Sequence, residues 1–273
     1  MIEQHIESRI SPKASGPFLR SILLRILAAP AWGWFTLLAT IVLVWFAVVT
    51  IGKVPAIIAP SPSTVFADLW LSRDTYIVAA LQTTMSAYVG LAIGTAMAVV
   101  LSITSWWSAG LNGLFRPIVY FLQAVPMTAM IPVVSGVVGY GYSAVITLTT
   151  MSALFPTYII FGTALSRPPR SAELVLSALG ATRSQFLFRV AIPAALPSLF
   201  SGMQLGVTLG VLGAFATEFL QGGWGLGGLF AVTRRIFANP ATPWGIAVIA
   251  TLLSSLSYGL FHILSRNMYK RFN

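Results

Sequence analysis

Runs of about 20 residues with scarcely a charge recur along this chain, and no other feature constrains its fold as tightly. An α-helix rises 1.5 Å per residue, so a run of that length crosses the roughly 30 Å hydrocarbon layer of a bilayer. Six such runs stand out, near Gly33 to Ile51, Ile77 to Thr104, Pro117 to Val138, Ser143 to Leu165, Leu196 to Thr217 and Trp244 to Leu264. Backbone amides in lipid must be satisfied within their own segment, which predicts helices rather than loops or open strands. The expected fold is therefore all-α, a polytopic membrane protein of six transmembrane helices. Hydrophobic residues fill 57% of the 273 positions and charged residues only 8%, a balance that excludes a water-soluble domain of this size. The first run follows a long polar lead, exceeds a signal-peptide core and precedes no small-residue cleavage site, so it reads as a span.

The sixteen Lys and Arg residues set the orientation. With both termini in the cytoplasm, twelve fall inside: Arg9, Lys13, Arg20, Arg25, Arg116, Arg167, Arg170, Arg183, Arg189, Arg266, Lys270 and Arg271. Lys53, Arg73, Arg234 and Arg235 stay outside. The net charge of +10 thus reads as membrane orientation and not as nucleic-acid binding. Residues 1–32 form a cytoplasmic N-terminal segment, 33–265 the membrane domain with a long loop at 166–195, and 266–273 a cytoplasmic tail. Pro17 to Ala29 is either an interfacial helix or the start of the first span. The chain has no cysteine, and His5 and His262 stand alone, so no metal site is expected. It carries no phosphate-binding Gly-rich loop with its Lys, no His-Glu-x-x-His and no Gly-x-Ser-x-Gly. No enzymatic activity and no cofactor are expected in this chain.

Between the fourth and fifth runs lies SRPPRSAELVLSALGATRSQFLFRVAIPAALPSLF, too long and too patterned for a simple turn. Pro168 and Pro169 stop the preceding span, and Ser171 is placed to cap a helix whose first turn holds Glu173. Gly180 ends that helix. Thr182 and Gln185 have capping-box spacing and start a second helix running toward Pro193. Leu174, Leu176 and Leu179, then Phe186 and Val190, give these helices apolar faces, while Arg183 and Arg189 hold the element at the water interface. Such a helix-Gly-helix knob suits docking of a soluble partner; an ordinary positively charged loop is the simpler reading of its charge alone.

This loop resembles the one shared by bacterial ABC importer permeases, in which an acidic-Ala-Ala triplet and three residues lead to a Gly, and nine residues later to an Ile-x-Leu-Pro ending. Gly180 holds the glycine, and Val190, Ala191, Ile192 and Pro193 the ending. The triplet positions carry Leu174, Val175 and Leu176, with Glu173 displaced by one. The wider phrase SALGATRSQFLFRVAIPAALPSLFSGMQLGV, together with IIAPSPSTV, FRPIVYFLQAVPMTAMIP and GGWGLGGLF, resembles the nitrate, sulfonate, taurine and bicarbonate permease group from Pro55 onward. The resemblance implies a type I ABC importer permease fold in the bacterial inner membrane, a second permease copy, two ATP-binding subunits that carry ATP and Mg, and an extracytoplasmic solute-binding protein. It also implies that the loop is the coupling helix, with Glu173, Ser177, Ala178, Gly180, Ala181 and Arg183 as contact candidates. The implied cargo is an oxyanion, a sulfonate or another small organic anion. Ser86 stands where members of that group often carry Arg, which removes a charged landmark for an anion.

Polar or helix-breaking residues inside the membrane are costly unless they face a cavity or a partner. Pro126 with Met127 and Met130 in the third run either line a path or belong to a kinked packing helix, and Gln204 and Thr208, four apart on the fifth, either line it or hydrogen-bond between helices. Glu218 has two roles open to it, contact with solute or capping of the turn into Gly222 to Gly228. Gly90 and Gly94 have the spacing of a close helix contact. The competing class, an ion-coupled secondary transporter, needs mid-membrane ionisable groups or broken-helix repeats, and neither stands out.

Overall fold

The computed structural model describes residues 32–169, 171, 174, 178–236 and 239–272, and every element it forms is helical. In order these are α1 (Trp32–Ile51), α2 (Pro62–Leu71), α3 (Arg73–Trp107), α4 (Ala109–Ala124), α5 (Met127–Val138) and α6 (Tyr142–Leu165). They are followed by α7 (Arg183–Gln221), α8 (Gly225–Ile236) and α9 (Ala241–Phe272). The chain forms two compact units, residues 1–63 and 64–273. The first holds α1, whose 20 residues include no charge. The expected interfacial helix at Pro17 to Ala29 lies outside the described residues.

In the second unit α6 is the central helix, packed along α3 on one side and α7 on the other. Its apolar window is 72% buried, against 17% for α9, whose remaining apolar surface suits lipid. Lipid tails give two helices no hydrophobic reason to associate, so the contact must come from close backbone approach at small residues. Gly90 and Gly94 of α3 supply it on one side, where added methyl groups would strike Thr149 and the Thr150 backbone. Gly202 and Gly206 of α7 supply it on the other, where methyl groups would lie 2.9 Å from Thr157 Cα and 3.2 Å from Ala153 Cα. Thr149 Oγ1 adds an interhelical bond, donating to the Ser86 carbonyl at 3.2 Å.

α3, α6, α7 and α9 are long and apolar enough to cross a membrane, and α4 with α5 makes a fifth crossing if the pair counts as one. The third expected span is not one kinked helix. Ser108 starts α4 earlier than expected, its Oγ accepting the Leu111 N–H at 3.4 Å, and the chain then bends by 108° between α4 and α5. Val125 is extended (φ −73°, ψ 127°), as the residue before a proline prefers, and Pro126 opens α5. The fifth span also differs. No break occurs at Pro193; α7 runs from Arg183 through Pro193 and Pro197 to Gln221. A π-turn over Leu187–Ala191 precedes Pro193, and Ile192 N–H bonds the Leu187 carbonyl five residues back. That wider turn gives room to the proline ring, which would clash with the carbonyl four residues back in a regular α-helix. The segment expected as a tail is helical as well, since α9 continues to Phe272.

Candidate functional site

Three places in the second unit concentrate groups that packing alone does not require, and α7 touches all of them. At its N-terminal end is the 166–195 loop. After α6 the Ser166 and Arg167 amides bond back to the Gly162 and Ala164 carbonyls, and Ser171, Leu174 and Ala178 are helical. Gly180 then takes a positive φ of 69°, a conformation that side chains disfavour, and turns the chain. Thr182 and Gln185 close a full capping box: Thr182 Oγ1 accepts the Gln185 N–H at 3.3 Å, and Gln185 Oε1 accepts the Thr182 N–H at 3.0 Å.

One face of this element is locked inward. Phe186 stacks on Trp106 of α3 with ring centroids 6.4 Å apart and 16° between planes. Leu187, Ala191 and Ala195 are buried in one cluster with Phe161 and Leu165 of α6. The other face is open, with Leu179 at 75% exposure and Phe188 at 62%. Of the predicted contact residues, Ala178, Gly180 and Arg183 are exposed on this knob and Ala181 is half-buried. Glu173 and Ser177 lie outside the described residues.

The bend between α4 and α5 opens the second place, a cavity of about 440 Å³. Gln123, Pro126, Met127 and Thr128 line it from the bend, Ser152 and Phe155 from α6, and Leu209, Leu212 and Gly213 from α7. No charged side chain contributes to that lining. Pro126 and Met127 thus come together at one wall, whereas Met130 packs away from the cavity against the Ile131, Val134 and Leu148 cluster. Gln204 is turned toward α9, its Nε2 lying 3.5 Å from His262 Nδ1, and the Thr208 hydroxyl donates to the Gln204 carbonyl of its own helix.

The third place is the far end of α7, where Glu218 is 1% exposed. Its Oε2 accepts from Thr83 Oγ1 of α3 at 2.7 Å and from the Gly227 N–H of α8 at 3.2 Å. Thr83 Oγ1 in turn accepts the Leu226 N–H at 2.9 Å, and Gln82 Oε1 accepts the Gly225 N–H at 2.9 Å. Gly225 has φ 59°, and a methyl group there would strike the Glu218 carboxylate. These are the contacts of an acid that caps the glycine-rich turn. Gln221, one turn on and absent from the sequence candidates, accepts the Gly141 N–H at 2.8 Å and donates to Ser135 Oγ at 2.7 Å. A parallel tie holds the α8–α9 connection, where the Asp68 carboxylate accepts from Tyr76 and, at 2.7 Å, from Asn239. The sequence offers Glu218 as a cap on this turn but gives no sign of Thr83, Gln221 or Asp68 in these ties, because the partners are far apart along the chain. Among the described residues no group of three His, Asp or Glu side chains could hold a metal ion.

Residues 90–272 match the family model described as the binding-protein-dependent transport system inner membrane component. The riboflavin transport system permease protein RibX of Chloroflexus aurantiacus is 30% identical, over 87% of this chain and 89% of that protein. The formylaminopyrimidine transport permease protein ThiX of Halalkalibacterium halodurans is 27% identical over 62% of this chain and 68% of its own length. The taurine transport system permease protein TauC of Escherichia coli is 25% identical over 82% and 84%. Among solved structures, a chain of an amino acid ABC transporter crystallised with histidines superposes with a TM-score of 0.64, covering 74% of this chain and 98% of that one at 12% identity. The MetNI methionine ABC transporter in an inward-facing conformation gives 0.59 at 24% identity over 74% and 98%. Both likenesses concern the fold.

Proposed function

The chain belongs to the family of binding-protein-dependent transport system inner membrane components, and from that premise we propose that it is the permease subunit of an ATP-driven importer for a small organic solute. The observation that carries this reading is the two-faced knob at the base of α7. Its inner face is fixed to α3 and α6 through Trp106, Phe161 and Leu165, while Leu179 and Phe188 remain open on the outer one. An exposed apolar patch on a rigid mount suits a partner that must push as well as bind. The partner in this proposal is a separate ATPase carrying ATP and Mg, two copies serving two permeases, with Ala178, Gly180, Ala181 and Arg183 in the contact. Glu173 and Ser177 complete the proposed contact set.

In this reading the chain spans the membrane six times, by α1, α3, the α4–α5 pair, α6, α7 and α9, with both termini in the cytoplasm. ATP binding in the ATPase, passed on through the knob, would shift the population between outward- and inward-open forms, and an external binding protein would deliver the solute. The uncharged cavity at the α4–α5 bend, with Phe155 and Met127 beside Gln123, Thr128 and Ser152, supports a neutral, flat heterocycle as cargo. The names of the RibX and ThiX relatives point to cargo of that kind. An oxyanion or sulfonate is the second reading, favoured by the similarity to TauC along 82% of this chain.

Reconstitution of the full chain with its ATPase and binding protein tests the proposal, with the solute first identified by thermal shift of the binding protein. Solute-stimulated ATP hydrolysis and uptake that stop when the ATPase is omitted are expected. Uptake by this chain alone would overturn it.

A further inference from the structure

At the end of α3 that adjoins the loop, a small polar pocket lies between α3, α4 and α6. Ser102 and Ser105 line it from α3, Tyr158 from α6, and Asn112, Arg116 and Tyr120 from α4. The α4 residues recur every four positions, so one face of that helix is polar where its neighbouring positions, Phe115 and Val119, pack on the core. Ser105 and Tyr158 share a hydroxyl–hydroxyl bond of 3.0 Å.

Ser102 behaves differently from most hydroxyls in these helices. Ser86, Thr104, Ser152, Thr208 and Thr217 each donate to the carbonyl four residues back. Ser102 is 2% exposed, and its Oγ has no partner among the described residues. It lines the pocket, and Gly162 opposite leaves it room, since a methyl group there would lie 3.2 Å from Ser102 Oγ. Buried hydroxyls without partners are uncommon and point to a group not supplied by the fold itself. The pocket admits about 20 Å³, enough for one water-sized atom. At the exposed rim stands Arg116, and the pocket lining contains no carboxylate to pair with it. The one ion pair among the described residues is Arg73 with Asp74, on another part of α3.

We propose that this pocket is an oxyanion site that takes a phosphate group. One phosphate oxygen enters the pocket and accepts from Ser102 Oγ, while the others meet the Arg116 guanidinium and the Asn112 amide at the rim. Donors with no acceptor charge among them select an anion, and the planar fork of Arg suits two oxygens of one tetrahedral group. An arginine at the pocket rim with no carboxylate in the lining is placed to meet such a partner. The phosphate comes from an anionic phospholipid headgroup or from a free phosphate ion; both share this chemistry. Occupancy would reach the docking knob directly, because Ser105 precedes Trp106, on which Phe186 stacks, and Ser166 at the pocket edge opens the loop.

The test is thermal unfolding of the delipidated full chain in detergent at constant ionic strength, with phosphatidylglycerol, phosphate-free diacylglycerol or inorganic phosphate added separately. Phosphatidylglycerol or inorganic phosphate is expected to raise the midpoint and diacylglycerol not to. A response to the lipid alone assigns the site to a headgroup, and a response to both or to inorganic phosphate alone assigns it to the free ion. Arg116→Gln is expected to raise the half-saturating concentration about tenfold. Ser102→Ala, which removes only the buried hydroxyl, raises it by less. Two results overturn the proposal: no response beyond that to diacylglycerol, or both variants responding as the unaltered chain does.

Discussion

The two ends of α7 are held by different physics. At its base the Thr182–Gln185 capping box satisfies the first amides, and apolar burial of Leu187 and Ala191 with the Phe186–Trp106 stack fixes direction. At its far end two side chains three residues apart, Glu218 and Gln221, carry the connection through buried hydrogen bonds to α3 and α8 and half-buried ones to Ser135 and Gly141. The base therefore keeps an open face that a partner could grip, whereas at the far end Glu218 Oε2 and both amide atoms of Gln221 bond neighbours within the chain. Between them Gly202 and Gly206 press the shaft against α6.

Five substitutions would break or sharpen that contrast, the first four read by thermal unfolding of the detergent-solubilised chain. Glu218→Ala should do most damage, leaving Thr83 and the Gly227 amide without an acceptor beside a new void, at about 3 kcal/mol. Glu218→Gln, which keeps one acceptor oxygen, should cost less, and an equal loss would mean that charge rather than hydrogen bonding holds α8. Gly202→Val should cost about 2 kcal/mol by forcing α7 away from Thr157; an unchanged midpoint would show that the shaft is not clamped. Removing the cap by Thr182→Ala should cost about 1 kcal/mol and spare the far end. Leu179→Ser should leave the midpoint where it is. Its effect should appear as lost ATPase stimulation in the reconstituted complex, and a normal coupled rate would show that this side chain is not gripped.

Much of the base was legible in the sequence because its devices are local. Gly180 and the Thr182–Gln185 spacing each act within four residues, so composition and order suffice to place them. Gly90 and Gly94 were readable for the same reason, and Gly202 with Gly206 carried the same spacing unremarked. The far end was not readable in this way. Glu218 could be singled out as a costly intramembrane acid, but Thr83 lies 135 positions away, and no periodicity links the two. Prolines misled in both directions. Pro193 was expected to end a helix that in fact continues, since a π-turn leaves no mark in residue type. Pro126, expected to kink a span, turns the chain by 108° and thereby opens the cavity.

That π-turn also fixes an angle. It inserts one residue into α7, and each residue turns an α-helix by about 100°. The knob at Gly180 and the glycine seam at Gly202 therefore stand at an azimuth set by the five residues Leu187–Ala191. Loops exchanged between relatives would have to preserve that count as well as their surface chemistry. A graft shorter by one residue would keep every exposed side chain of the knob and aim them about a quarter-turn away.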